Sequence, residues 1–286
     1  MTAGSPTVQR RRLGHMLRQI RTDLDLTTRQ AGAHLERSES WVSRVETGDS
    51  GIRLGELRAL MDAYEVTDPD VRAEMEDLAR GGRQRGWWSR YRSSLSSDYA
   101  AYIGFEASAS RLLVYESLVV HGLLQTEDYA RAVFRASFTA MPSNVIEHRV
   151  QVRLTRQELL SRTPDPLEMW VVFDEAVLHR VIGGDMPVHL AQLGKLLGIA
   201  RDVDTIHVQV IPFRDASNPG GMSGFTVLEF PRDPRIAYLE GLTSDLYEEE
   251  EAAERFTLGH TDLRAAALSE TRTVALIKRV LDEAAR

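Results

Sequence analysis

Leu26-Thr27-Thr28-Arg29-Gln30-Ala31-Gly32-Ala33-His34-Leu35, continued by Glu36-Arg37-Ser38-Glu39-Ser40-Trp41-Val42-Ser43-Arg44-Val45-Glu46-Thr47-Gly48, decides how the first part of this 286-residue chain folds. Two short helices are predicted, Thr27 to Leu35 and Ser38 to Thr47. Ser38 is a natural N-cap, because its hydroxyl can accept an amide of the first turn, and Gly48 tolerates the left-handed conformation that stops a helix. Short helices joined by a tight turn must approach closely, and Gly32 supplies the small residue where the first crosses the second. Ala31, Leu35, Val42 and Val45 then face inward. Glu39, Ser40, Ser43 and Arg44 are left on the outward face of the second helix, the positions from which a helix in the major groove reaches base edges.

That placement suggests specific roles. Arg44 can contact a guanine edge through two hydrogen bonds, Glu39 can accept from a cytosine amino group, and Ser40 and Ser43 can serve bases or phosphates. Each base contact is worth about 1–3 kcal/mol of discrimination. Arg29, Arg37 and Arg53, with Thr28 and Ser38, suit the phosphate backbone and would set the register. The competing reading of any one of these residues is a solvated arginine or a simple capping serine; the spacing of the whole set favours groove reading. A unit of this size grips few base pairs, so a homodimer on double-stranded DNA is expected, reading half-sites one helical turn apart.

Around this pair, Leu13, Leu17, Ile20 and Leu24 recur at steps of four, three and four and form one apolar stripe. Met1 to Thr7 reads as a disordered tip. Leu54, Leu57, Leu60, Met61 and Tyr64 share one face of a fourth helix, and a fifth begins near Asp68 and Pro69. Gly81-Gly82-Arg83-Gln84-Arg85-Gly86 has three glycines in six positions; each costs a helix interior about 1 kcal/mol relative to Ala, so a hinge is expected there. The predicted organisation is an all-α helix-turn-helix domain over 1–80, a hinge and aromatic linker over 81–92, and a larger α+β domain over 93–286.

Charge separates the same regions. The chain carries 35 basic and 42 acidic residues, a net −7. Residues 1–58 hold ten arginines against seven acids, a net +3, and the remainder carries −10. The basic end is a separate electrostatic object. Hydrophobic residues make up 43% of the chain, enough for a full core. There are no cysteines, which excludes disulfides, thiol nucleophiles and thiolate zinc sites and fits a reducing compartment. No apolar run approaches the roughly 18 residues of a membrane span, and residues 1–21 lack a signal peptide's apolar stretch, so no membrane association and a cytoplasmic location are expected.

In the larger part, Ser143 to Ser161 reads as a long helix, while Leu167 to Phe173, Ile206 to Ile211, Phe225 to Phe230 and Ile236 to Leu239 read as strands, the last two joined through Pro231 to Pro234. Helices from about Glu248 and Ser269 close the chain. Catalysis is not expected. The eight histidines never take a metal-ligand spacing, so neither metal nor cofactor is called for. Gly220-Gly221-Met222-Ser223-Gly224 does not fit the glycine spacing of a Gly-x-Ser-x-Gly nucleophile elbow and reads as a loop before the strand at Phe225. The run Glu248 to Glu251 reads as the acidic start of a helix.

Trp87, Trp88, Tyr91, Tyr99, Tyr102 and Phe105 place six of the chain's 20 aromatics within 19 residues. Trp87, Trp88, Tyr91 and Tyr102 are a possible partner surface or the lining of a ligand pocket, with an interdomain seam as the plainer alternative.

The segment from residue 10 to 65 closely resembles the Xre/Cro-like helix-turn-helix family, whose second short helix enters the major groove. The resemblance implies a phosphate contact at the start of the first short helix, where Thr28 stands in place of the usual Gln. It also implies a structural ion pair between Arg21 and Glu46. Arg85-Gly86-Trp87-Trp88-Ser89-Arg90-Tyr91, Tyr102-Ile103-Gly104-Phe105-Glu106-Ala107, Gly122-Leu123-Leu124-Gln125-Thr126-Glu127-Asp128-Tyr129-Ala130-Arg131-Ala132, Arg156-Gln157-Glu158-Leu159-Leu160 and Leu239-Glu240-Gly241-Leu242 resemble the C-terminal domain of the actinobacterial WhiJ-like regulators. That resemblance implies a transcriptional regulator, an autoregulating repressor or antitoxin-like protein controlled by a small BldB-like partner protein. The alternative is a one-component regulator whose α+β domain senses a small molecule.

Overall fold

A computed structural model describes residues 4–137, 141–214, 223–241 and 245–286. Two compact units divide the chain: Met1–Arg90 with Ala100–Ser108, and Tyr91–Tyr99 with Ala109–Arg286. The architecture is a helical N-terminal unit followed by a larger α+β unit.

The first unit holds five helices in a row: α1 (Pro6–Asp23), α2 (Thr28–Ala33), α3 (Glu39–Glu46), α4 (Leu54–Ala63) and α5 (Pro69–Gly82). Their apolar faces meet in one core of Leu13, Leu17, Ala31, Val42, Val45, Ile52, Leu57, Leu60, Met61, Tyr64, Met75 and Ala79. Each start is chemically marked. Ser5, Thr27, Ser38 and Asp68 cap α1, α2, α3 and α5 with a side-chain oxygen, and Pro lies in the first turn of α1 and α5.

Two sequence expectations change here. The segment read as a disordered tip becomes helical at Pro6, because Thr7 and Val8 are buried and Ser5 Oγ donates to the carbonyl of Gly104. Met1, Thr2 and Ala3 lie outside the described residues. The first two glycines of the expected hinge are the last two residues of α5. Their purpose is close approach: a Cβ on Gly81 would overlap the Gln9 side chain, and one on Gly82 would sit 2.7 Å from Arg10 Cγ. A short 3-10 helix follows at Trp87–Ser94.

After α6 (Ser97–Glu106), the second unit is built on six strands: β1 (Arg111–Glu116), β2 (Glu168–Asp174), β3 (Ile206–Ile211), β4 (Phe225–Glu229), β5 (Ile236–Leu239) and β6 (Leu246–Glu249). Among the described residues they form one mixed sheet in the order β3-β2-β1-β4-β5-β6. β1 and β3 run parallel to β2, whereas β4, β5 and β6 are antiparallel to their neighbours. Between strands lie α7 (Glu127–Ser137), α8 (Ser143–Gln157), α9 (Ala176–His179) and α10 (Met186–Asp202), and α11 (Glu250–Ala266) and α12 (Glu270–Ala284) close the chain. The register puts Tyr115, Val172 and Phe225 on one face, where they pack with Ala253 and Leu263 of α11. Leu112, Val114, Met169, Val171 and Phe173 are buried too, so both faces of the central strands are covered.

β1 and β6 were not read from the sequence. The helix expected from about Glu248 starts at Glu250, because Glu248 and Glu249 end β6. The long helix from Ser143 is α-helical to Gln157 and tightens to a 3-10 turn over Glu158–Ser161. Gly220, Gly221 and Met222 of the glycine-rich loop, and Leu242 of the last resembling segment, lie outside the described residues.

Candidate nucleic-acid interface

The α2–turn–α3 geometry follows from local hydrogen bonding. Thr27 and Gln30 form a reciprocal capping box at the start of α2. The carbonyl of Gly32 accepts from the amides of both Leu35 and Arg37, and Glu36 takes a positive φ of 52° to close the turn. A Cβ on Gly32 would stand 2.6 Å from the Arg37 carbonyl oxygen. Glycine at this crossing is thus a steric requirement. Ser38 Oγ accepts from the Trp41 amide at 3.2 Å and lies 3.0 Å from Ser40 Oγ. Gly48 ends the segment at φ 80°, where a Cβ would also meet the Arg11 backbone at 2.8 Å.

On α3 the two faces separate. Val42 and Val45 are 1% and 3% exposed. Glu39, Ser40, Ser43 and Arg44 are exposed, as are Arg29, Arg37, Ser38 and Arg53 around them, and Thr28 is half-buried. Arg12, Arg37, Arg58, Arg72 and Arg80 are tied to acids elsewhere in the unit. Among the described residues Arg44 and Arg53 form no ion pair. Glu39 is engaged within the protein: Thr28 Oγ1 donates to its Oε1 at 3.0 Å, and Arg29 Nε lies 3.8 Å from its Oε2. The carboxylate therefore links the starts of α2 and α3. Arg37 is bonded to Glu56, whose carboxylate also accepts from the Arg53 amide and is held below its ordinary range by these donors against the opposing effect of burial.

Beneath this face, Arg21 and Glu46 are joined at two points, Nε to Oε1 at 2.6 Å and Nη2 to Oε2 at 2.9 Å. Arg21 Nη1 also donates to the Leu26 carbonyl at 2.6 Å, and the Glu46 hydrogen bond raises the guanidinium above its ordinary pKa. The pair fastens α1 to the end of α3.

Of the four aromatics considered as a surface or pocket lining, Trp87, Trp88 and Tyr102 belong to the first unit and Tyr91 to the second. Trp87 and Trp88 meet edge to face at 5.8 Å, and both are half-buried in the first unit. Tyr102 is 2% exposed and so presents no surface. Tyr91 belongs to the second unit, 5.9 Å from the ring of His148.

The second unit hides a different set of polar residues. Arg153 donates to Gln125 Oε1 at 2.7 Å, and Gln157 Nε2 and Lys195 Nζ both donate to the Gln125 carbonyl, at 2.8 and 2.7 Å. Arg153 lies against the Phe134 ring, and among the described residues its buried Nε has no hydrogen-bond partner. Nearby, burial and then Glu240 push the Glu116 carboxyl up to about 8, opposed by Arg153. Burial, with Arg156 and Arg153, pushes His121 down to about 3. Sequence reasoning missed this network. Its visible traces were Gly122, Gln125, Arg156, Gln157 and Glu240, which lie in three of the resembling segments. Among the described residues no group of three or more His, Asp or Glu side chains could hold a metal ion, and no helix is long and apolar enough to cross a membrane.

Comparison with known families finds two separate matches along the chain. The model of a helix-turn-helix domain matches residues 12–75, from within α1 to within α5. The model of a domain of unknown function, DUF5753, matches residues 99–279, more than half of the chain. The chain belongs to the DUF5753 family. The DUF5753 match takes in the whole six-stranded sheet and α7 to α11. Searches of the curated proteins and of the solved structures found no match. The helix-turn-helix domain in front of DUF5753 marks a DNA-binding regulator.

Proposed function

We propose that this DUF5753 protein is a sequence-specific transcriptional regulator that acts in the cytoplasm as a homodimer on double-stranded DNA. The observation that carries the reading is the two-faced α3, with Val42 and Val45 buried and Ser40, Ser43 and Arg44 exposed. A helix fixed on one side and polar on the other is a rigid rod of the width the major groove admits. Arg44 reads a base edge, and Arg29 and Arg53 position the backbone. Glu39 acts by orienting Thr28 and Arg29. The DUF5753 domain serves control rather than catalysis, in keeping with an autoregulating, antitoxin-like repressor of the WhiJ-like, Xre-related kind held by a small BldB-like partner. Such a partner changes DNA affinity only if it binds the competent and incompetent forms unequally.

The test is selection of bound duplexes from a random pool, followed by footprinting. Two protected patches about one helical turn apart are expected; the absence of protected bases contradicts the reading. A second reading, control by a small molecule, is favoured by the buried, unpartnered Nε of Arg153, which a ligand acceptor would satisfy. Ligand-dependent melting without any co-purifying small protein would select it.

A further inference from the structure

The DNA-contacting edge of the first unit does not end with the matched helix-turn-helix segment. A helix with its side chains is about 10–12 Å across, close to the width of the major groove. The chain that leaves α3 must therefore climb out past a phosphate rim. In this protein that chain is Thr47 to Arg53. Ser50 N bonds back to the Arg44 carbonyl at 3.0 Å, which holds the loop against the last turn of α3, from which the Arg44 side chain is exposed. Gly51 is exposed, and Arg53 is exposed at the start of α4.

Arg83 reaches this loop from the far end of the unit. It caps the C-terminus of α5, eight residues past the end of the family match at residue 75. A Cβ on Gly51 would lie 3.8 Å from Arg83 Cγ and 3.7 Å from Arg10 Cδ. Arg10 makes the placement rigid: its Nε donates to the Gly48 carbonyl at 3.1 Å and its Nη1 to the Gly82 carbonyl at 2.9 Å. One side chain thus ties the residue that ends the α3 segment to the residue before Arg83. Burial depresses the Arg10 pKa, as expected of a side chain used structurally, whereas Arg83 is exposed. The loop's acid, Asp49, accepts from Thr47 Oγ1 at 2.6 Å and faces Arg10, and Glu56 is bonded to Arg37. Among the described residues Arg83 forms no ion pair.

We propose that Arg83 is a DNA-backbone contact, gripping a phosphate beside the Ser50–Arg53 loop and extending the footprint beyond the helix-turn-helix. The proposal rests on the DNA-binding reading above. It supplies affinity and register, not base preference, because an arginine on the rim meets the same phosphate whatever the sequence.

The experiment measures binding of the full chain to its selected duplex across a salt series, for wild type, Arg83→Gln and Arg83→Lys. The Gln variant is expected to bind several-fold more weakly and to lose about 0.9 from the slope of log affinity against log salt, the share of one phosphate contact. Its sequence preference and melting temperature should stay those of wild type, and Lys should restore the slope. A Gln variant with wild-type affinity and slope overturns the proposal, as does a loss that Lys fails to restore and that comes with lower melting. Either result leaves the DNA-binding reading standing if Arg44→Ala still weakens binding. A wild-type chain with a flat salt response overturns both.

Discussion

Arginine does opposite work in the two units. In the helical unit Arg29, Arg44, Arg53 and Arg83 stand in solvent around α3, whereas in the DUF5753 unit Arg153 and Arg156 are 9% and 3% exposed and bond to Gln125 and Tyr99. The residue type is the same and the physics is not. A solvated guanidinium keeps its hydration until a phosphate replaces it. A buried one must be satisfied by the protein, so it specifies packing. Where an arginine sits therefore says more than how many there are, and the net −7 of the whole chain conceals a basic working edge.

Arg21 breaks this division, since it lies in the helical unit yet is used as an interior residue. Its side chain and that of Glu46 are 11% and 5% exposed. Arg21→Met should strand a buried carboxylate and destabilise the unit by roughly 3–5 kcal/mol. Thermal melting checks this, and an unchanged melting temperature would place the pair among ornamental ones.

Glu116 sharpens the comparison from the other side. Its folded pKa of about 8 stands above the ordinary carboxyl value, so the folded chain holds a proton that the unfolded chain releases. The stabilisation is complete below the unfolded pKa and is lost as the pH rises through about 8. Glu116→Gln, which mimics the protonated form, should match wild type in melting near pH 4 and become increasingly the more stable of the two toward pH 9. A gap independent of pH would contradict a desolvated carboxyl there.

The smallest effect belongs to the surface. Arg37 is 44% exposed beside Glu56, and Arg37→Ala should cost the fold no more than about 1 kcal/mol in chemical denaturation. A larger loss would mean that the Arg37–Glu56 contact helps to hold α4 against the turn.

The helical unit was legible because its signals are local. Ser38, Gly48 and the Gly32 crossing each act within a few residues, and a stripe such as Leu13, Leu17 and Ile20 declares its face by period alone. The DUF5753 unit was partly legible for the same reason: Ile206, Val208 and Val210 alternate and were read as a strand. β1 was missed because a central strand covered on both faces has no alternation, and Leu112 to Tyr115 is a short apolar run of no evident type. β6 was missed because its four residues include two glutamates, poor strand formers held in place by pairing with β5. At the site, exposure of Ser40, Ser43 and Arg44 followed from helix phase, but the tie from Glu39 to Thr28 depends on two helices meeting. The glycines at 81 and 82 were misread for a related reason: their cost in a helix is local, and the contact with Gln9 and Arg10 that requires them spans the domain.

The central claim is that the outward face of α3 reads DNA, and titration of wild type and Arg44→Ala against the selected duplex and a scrambled one tests it most directly. The account predicts that the variant melts as wild type does but loses about 1–3 kcal/mol of discrimination between the two duplexes. Equal discrimination by both proteins would contradict it.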